Sequence, residues 1–239
     1  MGSNMKLADM TYVEVKQYLN TNDKLILPIG TCEQHGAHLP LSQDILAVEY
    51  FAGILSQNTN TVMAPTVNYG VNLPCDKLMS GTATLSPGLL REIILSVTKW
   101  WKAQGFKHFI LLTFHGDPYH LEALSNLGND IALIEPYEID YSDILKKQSA
   151  MRHACEAETS VALYLYPEKV KMDLIRENDI PFCIFEDYLF HRKEAEPENY
   201  VGNLGFPSAA TAEKGRRLVE RMTDKMMADY SALGFDRCK

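Results

Sequence analysis

Two hydrophobic periods alternate along the chain. Short runs of aliphatic and β-branched residues are typical of buried strands, and the longer stretches between them have apolar positions every three or four residues, as amphipathic helices do. The runs predict strands over residues 25–29, 61–67, 109–113 and 131–134, and the stretches predict helices over 42–55, 86–105, 119–127, 156–165 and from 207 onward. Strands that alternate with helices predict an α/β fold in three layers, with a mostly parallel sheet flanked by helices.

We expect a single domain over residues 5–239. The chain has 239 residues and shows no internal repeat, low-complexity tract or Gly/Ser linker, and single domains commonly reach about 250 residues. Residues 1–4 precede a second methionine, and we interpret them as a cloning remnant outside the fold. The segment 178–203, rich in acidic and aromatic residues, is expected to be irregular.

Composition narrows the choice of partners and compartment. The chain has 23 Lys and Arg against 31 Asp and Glu, a formal net charge of −8, so its surface repels nucleic acid and anionic lipid. No apolar run approaches the roughly 18 residues of a membrane-spanning helix. The five scattered cysteines form no CxxC pair and are expected to be reduced. These features predict a cytoplasmic protein that binds neither nucleic acid nor membranes.

The first candidate site follows the first predicted strand. Glu33 and His35 are two residues apart, so both side chains point to one side of an extended segment, and Asp44 at the start of the next helix can fold back toward them. Ligands in open α/β sheets collect outside the carboxyl ends of the strands. Two carboxylates and an imidazole are ligands for zinc, manganese or iron. Alternatively, the same residues bond loop carbonyls and cap the helix.

The second candidate site follows the most strand-like run of the chain. His115 and Asp117 interrupt the apolar pattern directly after residues 109–113, and ionisable groups contribute nothing to packing there. The alternative is a turn in which Asp117 caps the next helix ahead of Pro118. His120, one helical turn further on, is interpreted as a surface or capping residue.

The third candidate site is the start of the helix over 156–165. His153 and Glu158 could reach a common site if this helix end abuts the sheet. The alternative is a solvated acidic helix N-terminus that the helix dipole favours. A nucleophilic cysteine at Cys32 or Cys155 is conceivable, but the interpretation as small packed residues is favoured.

Together the three clusters resemble the creatininase family of metal-dependent amidohydrolases. Residues 33–44 fit its signature EQHGxHLPLxxD, and residues 153–160 fit HAGxxETS with Cys155 in place of the glycine. Gly81-Thr82 followed by Leu85 is similar to its GTxxL segment, and residues 202–215 are similar to its tail. The resemblance covers about residues 11–218. It implies a homo-oligomer, often a hexamer.

The chain departs from the family around the second cluster. Residues 113–118 read TFHGDP, where members carry NGHGGN, or NGHYEN in creatinine hydrolases. His115 is retained, and Asp117 falls on the glutamate of the creatinine-hydrolysing version. Asp76 stands where many members have histidine, and Ser80 replaces a proline. These positions lie where substrate would bind, so specificity for creatinine itself is not implied.

The resemblance implies a cofactor of two divalent ions per chain, zinc, manganese or iron, in one site. Asp44 would bridge the ions. The other ligands would be Glu33 and His115 for one ion, and His35 with either Asp117 or Glu158 for the other. His38 would support this set without binding an ion.

The implied reaction is hydrolysis of a C–N bond other than a peptide bond, in a small cyclic amide, formamide or related molecule. A metal-activated water would attack the carbonyl carbon. The leaving nitrogen must be protonated, and His153 is the candidate for this step. Glu158 would be a ligand, or would orient His153, or would relay the proton of the water.

Other classes remain as alternatives. A non-catalytic protein that binds metal or ligand on the same scaffold is one, because residues 113–118 are altered. A metallophosphatase is less favoured, since the chain lacks a Gly-rich phosphate cradle and a basic cluster near the candidate residues. A serine hydrolase is less favoured still, because no GxSxG motif occurs.

Overall fold

A computed structural model describes residues 5–177, 180, 182–190, 193 and 198–235. The interpretation of residues 1–4 as a cloning remnant lies outside the described residues. The helices are α1 (Tyr12–Tyr18), α2 (Gln43–Thr59), α3 (Pro87–Gln104), α4 (Pro118–Leu124), α5 (Glu156–Leu165), α6 (Phe182–Leu189) and α7 (Ala212–Ala232). The strands are β1 (Lys24–Ile29), β2 (Val62–Met63), β3 (His108–Thr113) and β4 (Ile131–Ile134).

The described strands form one parallel sheet in the order β2-β1-β3-β4. β1 and β3 lie in the middle and pair along their full length, from Lys24 opposite His108 to Ile29 opposite Thr113. Both strands therefore end at the same edge of the sheet. The predicted α/β class and parallel sheet are confirmed.

Two hydrophobic cores lie on opposite faces of the sheet. Leu25 and Leu27 of β1 face a core built with α1, α3 and α4, whereas Ile26 faces a core built with α2, α5 and α7. Because both faces are covered, β1 is buried throughout and its sequence is a continuous apolar run rather than an alternating one. The predicted arrangement in three layers is thus confirmed.

Several predicted boundaries are wrong. α2 continues to Thr59 instead of 55, and α4 ends at Leu124 instead of 127. The strand expected over 61–67 is reduced to Val62–Met63, because Pro65 cannot donate to the ladder. The last helix begins at Ala212 instead of 207, since Pro207 opens a separate 3-10 turn. Thr211 then caps the helix by accepting the Lys214 N–H at 3.2 Å.

Two helices occur where the hydrophobic pattern predicts none. α1 begins with a capping box in which Thr11 and Glu14 bond each other's backbone. α6 lies inside the segment 178–203 that was expected to be irregular. No helix in the described ranges combines the length and the apolar character needed to cross a bilayer.

Close contact between α5 and α7 fixes the start of α5. A Cβ atom added at Gly215 would lie 1.9 Å from the Ser160 carbonyl oxygen, so only glycine allows this approach. Beside it, the Lys214 ammonium pairs with the fully buried Glu156 carboxylate. Glu156 also accepts the N–H groups of Lys146 and Lys147, at 2.9 and 3.1 Å. These contacts with α7 therefore fix the start of α5, the helix that carries Glu158 of the third candidate cluster.

We predict that Gly215→Ala lowers the free energy of unfolding by about 1–3 kcal/mol, because the added methyl forces the two helices apart. Gly88→Ala is the matched control, since a Cβ there meets no atom within 4 Å. In urea unfolding, the control is expected to stay within about 1 kcal/mol of the parent or above it. An equal loss in both variants would show that the approach of α5 and α7 is unimportant.

Candidate metal centre

The candidate ligands meet at the carboxyl edge of the sheet. The loop after β1 carries Glu33 and His35, the end of β3 leads into His115, and the first turns of α2 and α5 carry Asp44 and Glu158. All five side chains are buried. Residues 33–44, the end of β3 and the start of α5 are distant in sequence and together supply one cluster.

Asp44 lies at the middle of this cluster. Its Oδ2 accepts the Thr31 hydroxyl at 2.7 Å and lies 3.2 Å from Nδ1 of His115, while its Oδ1 lies 3.3 Å from Nε2 of His35. Glu33 Oε2 lies 3.1 Å from the same His115 nitrogen. Each oxygen of Asp44 therefore faces a different histidine.

Within the described residues, the cluster divides into three ligand groups. Two groups contain Asp44: Glu33, Asp44 and His115 form one, and His35, Asp44 and Glu158 form the other. A third group, Glu33, His35 and His153, lacks Asp44; within each group the ligand atoms lie within 4.8 Å of one another. The first two groups contain the residues that the resemblance assigns to two ions, with Glu158 and not Asp117 in the second group. The bridging of two ions by Asp44 stays a prediction.

Backbone carbonyls fix the protonation of both ligand histidines. His115 Nε2 lies 2.7 Å from the Val71 carbonyl and His35 Nδ1 lies 3.1 Å from the Glu33 carbonyl. A carbonyl only accepts, so each of these ring nitrogens is the N–H donor. Without an ion, the carboxylates hold a proton on the other nitrogen of each ring, because they raise the pKa of both histidines. A bound cation would displace this proton and take up the lone pair, as in metal-binding histidines.

Buried acceptors without donors show that the cluster suits cations. Within the described part of the chain, Glu33 Oε2 and Asp44 Oδ1 are buried and have no hydrogen-bond partner. Oxygen and nitrogen lone pairs that face each other in this way repel unless a cation or a proton lies between them. A mixed set of carboxylates and imidazoles fits Zn²⁺, Mn²⁺ or Fe²⁺.

The pKa values reflect the same concentration of negative charge. Burial lowers the pKa of His35, but the carboxylates of Asp44 and Glu158 outweigh this effect and raise it to about 10. Burial raises the pKa of Glu158 to about 7. Burial, with the neighbouring Glu33 charge, raises the pKa of Asp76 to about 8. The site therefore attracts positive charge.

His153 borders the cluster at the cavity wall. Its Nδ1 lies 3.8 Å from Glu33 Oε1, its ring centre lies 4.4 Å from that of His35, and 18% of its side chain is exposed. Loss of contact with bulk water lowers the pKa of His153 to about 4, although the Glu33 charge opposes this shift. The imidazole is therefore neutral at pH 7.

The residue after His153 positions Glu158. The Ala154 N–H donates to Glu158 Oε2 at 2.5 Å, and the same oxygen lies 3.8 Å from His35 Nε2. Ala154 has a φ of +48°, in the left-handed region that non-glycine residues seldom adopt. This turn aims its N–H at the carboxylate, which ties Glu158 to the loop that carries His153.

Asp117 is placed differently from the other candidates. Its Oδ1 accepts the N–H groups of Tyr119 and His120, at 2.8 and 3.0 Å, and so caps α4. Among the described residues, Asp117 belongs to none of the ligand groups, although it lines the adjacent cavity. The geometry supports the capping alternative.

The interpretation of His120 as a surface residue is wrong. It is fully buried, its ring packs edge-on against His115 with centres 4.9 Å apart, and its Nε2 lies 3.1 Å from the Thr113 hydroxyl. The available signal was its spacing from Ala123 and Leu124, which share its buried helix face.

A second layer of polar side chains surrounds the ligands. Gln34 Nε2 lies 3.1 Å from both Asp76 Oδ1 and the Tyr200 hydroxyl, and all three side chains are buried. His38, expected in a supporting role, has its Nε2 2.8 Å from the Thr159 hydroxyl. Asp76 and Tyr200 come from distant parts of the chain and carried no sequence signal for this contact.

The cysteines near the site have structural roles. Cys155 is buried at the start of α5, where its sulfur accepts the Ala157 N–H at 3.3 Å, and burial raises the pKa of its thiol to about 11. A thiol with such a pKa is a poor nucleophile. The thiol of Cys32 contacts the Gly81 carbonyl at 3.5 Å.

A cavity of about 220 Å³ opens onto the cluster. One wall consists of ligand and acid–base groups. The other wall is apolar and is formed by Leu73, Phe114, Met151, Phe185, Leu189 and Leu204. The cavity accommodates a small molecule with both a polar and an apolar side.

Comparison with known proteins agrees with this architecture. The family described as creatininase, creatinine amidohydrolase, matches residues 8–229. A 3-dehydro-scyllo-inosose hydrolase of Thermotoga maritima is 24% identical over 92% of this chain and 81% of its own. A mycofactocin precursor peptide peptidase of Mycolicibacterium smegmatis is 29% identical over 84% of this chain and 81% of its own. These named relatives are hydrolases.

Solved structures share the fold. The crystal structure of a creatinine amidohydrolase superposes with a TM-score of 0.79 over 98% of both chains, at 18% identity. Two other creatininase structures with TM-scores of 0.78 and 0.75 are described as a manganese form and a Zn–Zn type.

We predict that Asp44→Asn weakens binding of Zn²⁺ by at least tenfold, because both ligand groups lose their shared charge. The measurement is metal content after purification, together with titration of Zn²⁺ into chelator-treated protein. Asp117→Asn is the matched control, since asparagine also caps helices, and it should retain the metal content of the parent. Equal losses in the two variants would instead make Asp117 a ligand.

Proposed function

The chain belongs to the creatininase family, and on that basis we propose that it is a metal-dependent hydrolase that cleaves a C–N amide bond in a small molecule. The observation that carries this proposal is Asp44, whose two buried oxygens face separate ligand histidines at 3.2 and 3.3 Å. A carboxylate shared in this way is suited to two cations held side by side.

The residues fit two divalent ions. Glu33, Asp44 and His115 would hold one, and His35, Asp44 and Glu158 would hold the other. Such a pair, when bound, lowers the pKa of a shared water toward neutrality and polarises a carbonyl group. Zinc and manganese are favoured by the forms in which creatininase structures of this fold are described.

His153 would stabilise the charge that develops on the substrate oxygen. The sequence favoured a role in protonating the leaving nitrogen, but an imidazole with a pKa of about 4 holds no spare proton at neutral pH. A neutral imidazole still has one N–H, and this group can donate a hydrogen bond to an oxyanion.

Glu158 would move the proton. One of its oxygens faces His35 and is held by Ala154, and a carboxylate has a second oxygen that can take a proton from the attacking water. The proton would then pass to the leaving nitrogen, which is too basic to depart unprotonated.

The cavity favours a small substrate. Its volume of about 220 Å³ lies below the roughly 300–1,000 Å³ of typical ligand sites, which suits a cyclic amide or a formamide better than a folded peptide segment. The homo-oligomer remains a prediction from the resemblance. Large exposed apolar side chains at Tyr12, Leu78 and Trp100 are of the kind that subunit contacts cover.

The proposal is tested with a panel of creatinine, a formamidopyrimidine and a short unmodified peptide. We expect hydrolysis of a small amide that a chelator abolishes and Mn²⁺ or Zn²⁺ restores, with no cleavage of the peptide. Full metal content without hydrolysis of the small amides would favour a non-catalytic binding protein on the same scaffold. Cleavage of the peptide alone would contradict the proposed substrate class.

We predict that His153→Ala retains bound metal and lowers kcat by roughly 10²–10³-fold, the usual effect of removing an oxyanion donor. His108→Ala serves as the control, because His108 lies at the opposite end of β3 and stacks on Phe235. Metal content and kcat are measured on the same preparations. Unchanged kcat in His153→Ala would remove His153 from the reaction.

A further inference from the structure

We propose that Gln34 is a positioning residue that determines which ring nitrogen of His153 carries the proton. Gln34 lies in the chain between the ligands Glu33 and His35, yet its amide contacts His153 and the second layer. Its Nε2 is 3.0 Å from His153 Nε2. The neighbours of the Gln34 amide fix which of its atoms faces His153, and the amide in turn fixes the protonation of the imidazole.

The orientation of the Gln34 amide is fixed at both ends. Its Oε1 accepts the Gly36 backbone N–H at 3.0 Å, and a backbone N–H can only donate. Its NH₂ group faces Asp76 Oδ1 at 3.1 Å. Gly202 packs against the amide so closely that an added Cβ would lie 2.4 Å from Oε1. A flipped amide would place its NH₂ group against the Gly36 N–H, so that two donors would face each other.

The fixed amide determines the protonation of His153. An amide NH₂ group only donates, so Nε2 of His153 must present a lone pair to it. The neutral ring then carries its proton on Nδ1. This nitrogen is the one directed at the ligand cluster, 3.8 Å from Glu33 Oε1. The Tyr200 hydroxyl, 3.1 Å from Gln34 Nε2, can only accept from this NH₂ group. The two hydrogens of the group face Asp76, Tyr200 and His153, and the contact with His153 is the shortest of the three.

The donor and acceptor nitrogens of His153 are therefore placed opposite to those of the two ligand histidines. His35 and His115 donate outward to backbone carbonyls and would present lone pairs to a bound ion at the centre, whereas His153 accepts from outside and presents an N–H. The group Glu33, His35 and His153 has ligand spacing, but this N–H makes His153 a donor to substrate and not a ligand. Gln34 thus separates the donor histidine from the ligand histidines.

This inference rests on the proposed function only in saying that the His153 N–H donates to the substrate. The position of the proton on the ring can be measured without substrate. The experiment is NMR of Zn²⁺-loaded protein labelled with ¹⁵N at histidine, with the His153 signals identified by their loss in His153→Ala. We expect Nδ1 to be protonated and Nε2 unprotonated in the parent. A protonated Nε2 in the parent would overturn the proposal.

Two variants separate the effect of Gln34 from general disturbance. Gln34→Glu places an acceptor in the same space, so Nε2 of His153 should become protonated. Tyr200→Phe removes another contact of Gln34 but leaves the amide intact, and His153 should keep the protonation of the parent. An unprotonated Nε2 in Gln34→Glu would contradict the proposal.

Turnover provides a separate consequence. Gln34→Glu, His153→Ala and the double variant should lose kcat by a similar factor, roughly 10²–10³-fold, because the two residues act as one unit. Multiplied losses in the double variant would show independent roles. If no amide is hydrolysed, the proposed function fails, whereas the NMR result still decides the role of Gln34.

Discussion

The structure depends on buried lone pairs that face one another across Asp44. Unpaired acceptors in a protein interior are costly, and bringing several carboxylates together adds mutual repulsion. The fold nevertheless aims the loop after β1, the end of β3 and the start of α5 at this point, and it holds the groups there with Thr31 and with backbone carbonyls. Such an arrangement is stable when cations supply the missing positive charge, so the centre and the fold constrain each other.

Much of the centre could be predicted from sequence, because the carboxyl ends of parallel strands meet at one edge. That rule brings the motif after β1 and the motif after β3 together without any knowledge of side chains. Asp117 shows the limit of this reasoning. An acidic residue directly before a helix-opening proline is equally suited to bind metal or to cap the helix, and only the positions of the Tyr119 and His120 N–H groups distinguish these roles.

The remaining features depend on contacts that no local pattern encodes. Asp76 and Tyr200 meet Gln34 only after the chain has folded. α6 is short and lies in an aromatic-rich segment without clear periodicity. The ring of its residue Phe185 packs against the ring of Tyr200, with ring centres 5.0 Å apart. Periodicity indicates where the backbone runs. It does not indicate which end of the Gln34 amide faces His153. This orientation decides whether His153 acts as a hydrogen-bond donor or as a metal ligand.

The order of the ligands along the chain sets a sequence of events during synthesis. Glu33, Asp44 and His115 all precede α4, so the first group can assemble once β3 pairs with β1. The second group needs Glu158, whose helix is held by the contact of Gly215 with Ser160 near the C-terminal end of the fold. Since the N-terminal part of a chain emerges from the ribosome first, the two halves of one centre arise at different times. Under the proposed function, an ion could enter the second half only after the final helix has docked.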